Sequence, residues 1–101
     1  MVRKKLRLII DNDAKHSLLE AYRYIKKDSP QNAEKVRGKI LDSIKELLEN
    51  PERHGPDKYR RDNDGSFRAF EIYKYRITYH VSSSEIRIIR IRHTKMNPLE
   101  Y

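Results

Sequence analysis

Apolar positions along the first half of the chain recur with two different periods. KLRLII (Lys5–Ile10) places four aliphatic side chains in six positions and ends in two β-branched residues. The polar Asp11-Asn12-Asp13 follows, so the pattern predicts a first β-strand and then an acidic N-cap. Ala14, Leu18, Ala21, Tyr22 and Ile25 next recur at helical spacing, with Lys15, Glu20, Arg23 and Lys26 between them. That spacing predicts an amphipathic helix from Asn12 to about Lys27. Asp28-Ser29-Pro30 interrupts it and starts another helix, with Ser29 as N-cap and Pro30 at the first helical position, where a missing N–H costs nothing. Ala33, Val36, Ile40, Ile44, Leu47 and Leu48 form the stripe of this longer helix, which Asn50-Pro51 ends. So short a link predicts an antiparallel helical hairpin.

Glu52 to Gly65 has no period, contains Gly and Pro, and reads as a mobile basic loop. Beyond it the period becomes two. In YKYRITYHV the residues Tyr75, Ile77, Tyr79 and Val81 share one face, with Arg76, Thr78 and His80 on the other. Ser66 to Ile72 is the strand before, turning at about Tyr73-Lys74. Ser82-Ser83-Ser84 turns into a last strand, Glu85 to Arg92, whose middle is apolar on both faces and leaves the register open. The order predicts an α+β domain: an N-terminal strand, an antiparallel helical hairpin over one sheet face, a three-stranded antiparallel meander and a short C-terminal tail. Tyr73, Tyr75 and Tyr79 are expected to pack in the core or on the sheet. Arg76 is expected on the uncovered face, within reach of a ligand.

Composition narrows this picture. A chain of 101 residues, 37% hydrophobic and 38% charged, supports one small core, so residues 1–101 are read as one domain. With no cysteine, thiol chemistry and disulfides are excluded. No apolar run approaches the roughly 18 residues that span a bilayer, and MVRKKLRLII is too short and too quickly acidic for a secretory signal, so a cytoplasmic protein without a membrane partner is expected. The formal charge of +8 is uneven. The first 52 residues hold twelve Lys/Arg against nine Asp/Glu, whereas residues 53–95 hold eleven against five. A basic second half favours nucleic acid or an acidic protein. His16, His54 and His80 fall in different elements without paired spacing, so neither a metal site nor a cofactor is expected.

LLENPERHG (Leu47–Gly55), FRAFEIYKYRITYHV (Phe67–Val81) and IRIIRIRHTKMNPLEY (Ile86–Tyr101) occur in that order. In this the chain resembles the RelE/ParE superfamily of toxins from type II toxin–antitoxin systems over nearly its whole length. The resemblance implies the RelE/ParE-like fold, growth inhibition and a cognate antitoxin, acidic or amphipathic, as partner. Members similar to RelE cut messenger RNA on the ribosome, and members similar to ParE poison DNA gyrase.

RNA cleavage by attack of the ribose 2′-OH needs a base, an acid and cations around the phosphate. By the resemblance, Arg76 falls on the phosphate-binding arginine of the RNA-cleaving members, and His93 on a histidine at the end of the last strand. Lys95 falls where others carry a catalytic arginine, keeping the charge but losing the bidentate fork. Tyr101 matches their near-terminal tyrosine. Arg76, His93, Lys95 and Tyr101 are thus the candidate catalytic set of a metal-independent, ribosome-dependent mRNA endoribonuclease. The alternative is a gyrase poison acting by protein binding without catalysis.

Overall fold

The computed structural model describes residues 6–95. Strand β1 (Arg7–Ile10) leads into helix α1 (Asn12–Lys26), helix α2 (Pro30–Glu46) and strands β2 (Phe67–Ile72), β3 (Tyr75–Val81) and β4 (Glu85–His93). One sheet has the order β1-β4-β3-β2. The meander is antiparallel, and β1 adds to it parallel to β4, with Leu8 opposite Ile86 and Ile10 opposite Ile88. The predicted α+β arrangement is the observed one.

Each helix begins for a different reason. Ser29 caps α2 as its sequence predicts, its Oγ accepting from Asn32 N at 3.1 Å, with Pro30 just inside. Asp11 occupies the N-cap position of α1 but caps nothing. Its Oδ1 instead accepts from Arg87 Nη1 at 2.7 Å, and Arg87 Nε also donates to Glu85 at 2.9 Å. A charge-assisted bond to a guanidinium outcompetes one to a neutral amide. The acidic cluster read as a cap therefore ties β1 to β4.

Ala14, Leu18 and Ala21 of α1 and Val36, Ile40 and Ile44 of α2 bury against Ile77, Tyr79, Ile86, Ile88 and Ile91. The Tyr79 hydroxyl donates to Pro51 O at 3.0 Å, so this core tyrosine has its polar end satisfied. Tyr75 and Tyr79 are core residues as expected, whereas Tyr73 is 43% exposed in the β2–β3 turn. Tyr73 and Lys74 both have positive φ, 51° and 66°, the twist that a two-residue hairpin demands.

A β-bulge decides the register left open in the last strand. Thr78 pairs with Arg90 but Tyr79 pairs with Ile88, so Ile89 is the extra residue. Ile86, Ile88 and Ile91 thereby all face the helices, at 0%, 0% and 3% exposure. An uninterrupted strand would put Ile91 on the opposite side from the other two.

The segment after α2 departs from expectation. Instead of a loop without fixed contacts, its backbone runs beside β2, with Ala69 N donating to Gly55 O at 3.3 Å and Asp57 N to Phe67 O at 2.8 Å. Asn63 knots its end, donating from Nδ2 to Phe67 O at 2.7 Å and accepting at Oδ1 from Gly65 N at 2.9 Å. His54 stacks on Phe70 with ring centres 4.4 Å apart. These contacts supply partners for the β2 edge, which would otherwise invite another chain. They are non-local, which is why a scan for local periodicity misses them.

Two consequences can be measured. Deleting Ile89 restores regular alternation with Ile86, Ile88 and Ile91 still inward, so that variant is expected to unfold cooperatively. Deleting Ile77 flips part of β3 and is expected to abolish the transition. Burial lowers the pKa of His54, the nearby Arg53 charge adds to this, and Glu46 opposes it. The unfolded chain then binds a proton that the folded chain does not, so stability falls as pH drops through about 6.5. Urea midpoints between pH 7.5 and 5 should decline less steeply in His54→Phe than in the parent; parallel declines would assign the slope to other groups.

Candidate functional site

Alternation along β3 turns Arg76 away from Tyr75 and Ile77, onto the sheet face opposite the helices. The face is not left uncovered there, contrary to expectation. Arg76 Nη2 donates to Asp57 Oδ1 at 2.7 Å and Nη1 to Glu71 Oε2 at 3.1 Å. The ring of Tyr59 lies 4.8 Å from the guanidinium carbon, and Tyr59 N donates to the same Asp57 oxygen at 3.0 Å. Asp57 is 1% exposed at its side chain and Arg76 18%. Burial works against the cation, but hydrogen bonds and attraction from Asp57 and then Glu71 outweigh it and hold Arg76 above its ordinary pKa. Arg76 is a charged, internally paired group whose two donor edges face carboxylates.

His93 stands on the other side of the sheet. It pairs with Tyr75, while Arg76 pairs with Arg92. Its ring meets that of Tyr75 edge-on, with centres 5.1 Å apart, and its Nδ1 accepts from Lys95 N at 3.1 Å. Lys95 is exposed directly after β4. Tyr101 lies outside the described residues. Strand geometry thus separates His93 from Arg76, because residues one position apart in register point to opposite faces, while Lys95 meets His93 through its backbone N–H in the turn after β4.

His93 also borders a cleft of about 460 Å³ between α1 and the ends of β3 and β4, lined among others by Glu20, Ala21, Tyr24, Tyr75 and Ile91. Tyr24 is 69% exposed at its rim. Among the described residues, no group of three His, Cys, Asp or Glu is placed to hold a metal ion, and no helix is long and apolar enough to cross a membrane.

Sequence reasoning missed Asp57, Tyr59 and Glu71. Asp57 carries no distinguishing signal, since Glu52, Asp62 and Asp64 stand in the same segment among Arg53, Lys58, Arg60 and Arg61. Glu71 faces Arg76 across β2 and β3, a pair that becomes visible only with the hairpin register.

A family model described as the ParE toxin of the type II toxin–antitoxin system parDE matches residues 8–98. The chain belongs to this ParE toxin family. It is therefore the toxin component of a type II toxin–antitoxin system. No curated protein matches it. Among solved structures it is similar to a chain of the chromosomal ParDE system from P. aeruginosa, at 22% identity and a TM-score of 0.68, covering 88% of this chain and 96% of that one. It is also similar to the YoeB dimer from Staphylococcus aureus, at 20% identity and 0.56, covering 88% and 97%. A third likeness is to the RelBE2 toxin–antitoxin complex from Mycobacterium tuberculosis, at 18% identity and 0.51, covering 88% and 98%. At these identities the likeness shows a common fold, which ParE-like and RelE-like toxins share.

The ion pairs of this ParE-family toxin rank differently in stability. Replacing Arg76 with alanine leaves the Asp57 carboxylate buried without its cation and is expected to cost about 3 kcal/mol or more. Glu71 is half-exposed, so Glu71→Gln is expected to cost less than about 1 kcal/mol. Urea denaturation of the two variants checks the order; equal losses would show that burial of Asp57 does not set it.

Proposed function

We propose that this ParE-family toxin arrests growth by binding and poisoning DNA gyrase, without a catalytic step of its own, and is held inactive by a cognate antitoxin, acidic or amphipathic. The observation that carries this reading is the state of Arg76. Phosphoryl chemistry on RNA needs a cation at the scissile phosphate and a proton-transferring group beside it. Here the Arg76 guanidinium is paired with Asp57 and Glu71, and His93 is on the opposite face. A binding poison needs a shaped surface only. Membership in the ParE family supports the same side.

The competing reading, a ribosome-dependent mRNA endoribonuclease using Arg76, His93, Lys95 and Tyr101, draws on the place of His93 at the 460 Å³ cleft, two residues before Lys95. It requires Asp57 to release Arg76, and a route by which Arg76 and His93 reach one phosphate.

One pair of assays separates them. Purified toxin is expected to inhibit supercoiling by gyrase and to accumulate gyrase-cleaved DNA, with the antitoxin reversing both, and His93→Ala is expected to retain the effect. Growth arrest with unaffected gyrase and codon-resolved cleavage of ribosome-bound message, lost in His93→Ala, would replace this reading with the nuclease.

A further inference from the structure

The two edges of the sheet differ. Beside β2 the backbone from Gly55 to Asp57 supplies hydrogen-bond partners and closes that edge, whereas the strand order ends at β1 on the other side. Arg7 N donates to Ser84 O and Asp11 N to Ile88 O, so Arg7, Ile9 and Asp11 turn their backbone groups towards β4. Alternation directs those of Leu8 and Ile10 outward, where no further strand among the described residues pairs with them.

The side chains of this edge match a copy of themselves. An antiparallel second β1 must set outward residues against outward residues, and Leu8 against Ile10 of the second copy does so about a twofold axis at Ile9. In that register Arg7 stands opposite Asp11 of the second copy, twice over by symmetry. Arg7 and Asp11 lie on one face, being alternate positions with Ile9 between them. Arg7 is exposed, and the Asp11 side chain, which accepts from Arg87, keeps 32% of its surface in water. A carboxylate has lone pairs for more than one donor. On the helix side Leu8 and Ile10 pack on the core but are only partly buried, so pairing them covers apolar surface that β1 leaves in water. Moving the axis to Leu8 would set Arg7 against Ile9 and bring the two Arg7 side chains to diagonal positions. Charge therefore selects the axis at Ile9.

We propose that this toxin forms a twofold dimer by antiparallel pairing of β1 with β1 of a second copy, joining two four-stranded sheets into one. The proposal rests on neither reading of the toxin's target. Because the β2 edge is closed, association ends at two copies and does not continue as a fibre. A strand of four residues offers a small interface, so the dimer belongs to the weak, concentration-dependent class. An acidic extended peptide could use the same backbone groups, but it would set like charge against Asp11. A second copy brings a cation to Asp11 and an anion to Arg7 at once.

Sedimentation velocity of purified toxin without antitoxin, over a concentration series, is expected to show a monomer–dimer equilibrium. Arg7→Glu sets carboxylates against each other at both ends of the pairing and should weaken dimerisation by about tenfold or more. Lys35→Glu, the same charge change at an exposed position of α2, should leave it nearly unchanged. The chain has no cysteine, so single substitutions report geometry. At the axis the Cα atoms of a non-hydrogen-bonded pair stand about 4.5 Å apart, within disulfide range, so oxidised Ile9→Cys is expected to link into dimers. Lys39→Cys, exposed on α2, measures random collision and should link far less, as should Ile9→Cys combined with Arg7→Glu. Thermal unfolding checks each variant. Wild type that stays monomeric throughout the series, equal dissociation in Arg7→Glu and Lys35→Glu, or equal linking of Ile9→Cys and Lys39→Cys would overturn the proposal. Amide exchange at Leu8 and Ile10 is expected to slow as toxin concentration rises. Slowing only when the antitoxin is added would give the edge to the antitoxin and overturn the proposal as well.

Discussion

The contact between the buried Asp57 carboxylate and the Arg76 guanidinium organises the sheet face opposite the helices. It joins an irregular segment to the middle of the sheet at 2.7 Å, and both partners are largely withdrawn from water. Such a pair gains little over well-packed apolar residues, but losing either member leaves a charge without compensation. The geometry is therefore conditional: Tyr59 lies over Arg76, and the chain from Gly55 lines β2, in the arrangement that keeps Asp57 on its partner. An arginine exposed on a bare sheet would be an anion site. The same arginine with two carboxylates is part of the framework.

On the helix side a different constraint operates. Four isoleucines within six residues of β4 cannot all face one way in a regular strand. The bulge admits one extra residue, sends Ile86, Ile88 and Ile91 into the core and leaves Ile89 half-buried. The arginines between them follow passively onto the other face. Apolar burial thus sets where the cations go, and the basic character of that face is a consequence of packing the core.

Much of the fold was legible because its signals are local. Ser29 and Pro30 mark the start of α2 by chemistry contained within four residues, and the stripe through Val36, Ile40 and Ile44 carries its own period. The Tyr75–Val81 alternation needed no knowledge of neighbouring strands. Asp11 shows the limit. Its position before a helix reads as a cap, yet Arg87, 76 residues away, takes its carboxylate. Local rules assign the role a side chain can play, and a stronger distant partner reassigns it.

The candidate site was less legible for the same reason. Residue types and order pointed to Arg76, His93 and Lys95 and to a toxin of the RelE/ParE kind, and strand alternation placed Arg76 on the correct face. Whether these groups meet depends on register across strands and on the segment folded over the sheet, neither of which has a periodic signature. By itself the sequence determined the elements, their order, the core stripes and the family. Tertiary structure alone decided that β1 lies beside β4, that Ile89 bulges, that Arg76 is paired with Asp57 and Glu71, and that Arg76 and His93 stand on opposite faces. Those outcomes are set by contacts between residues far apart in the chain, where burial and charge pairing outweigh local preference.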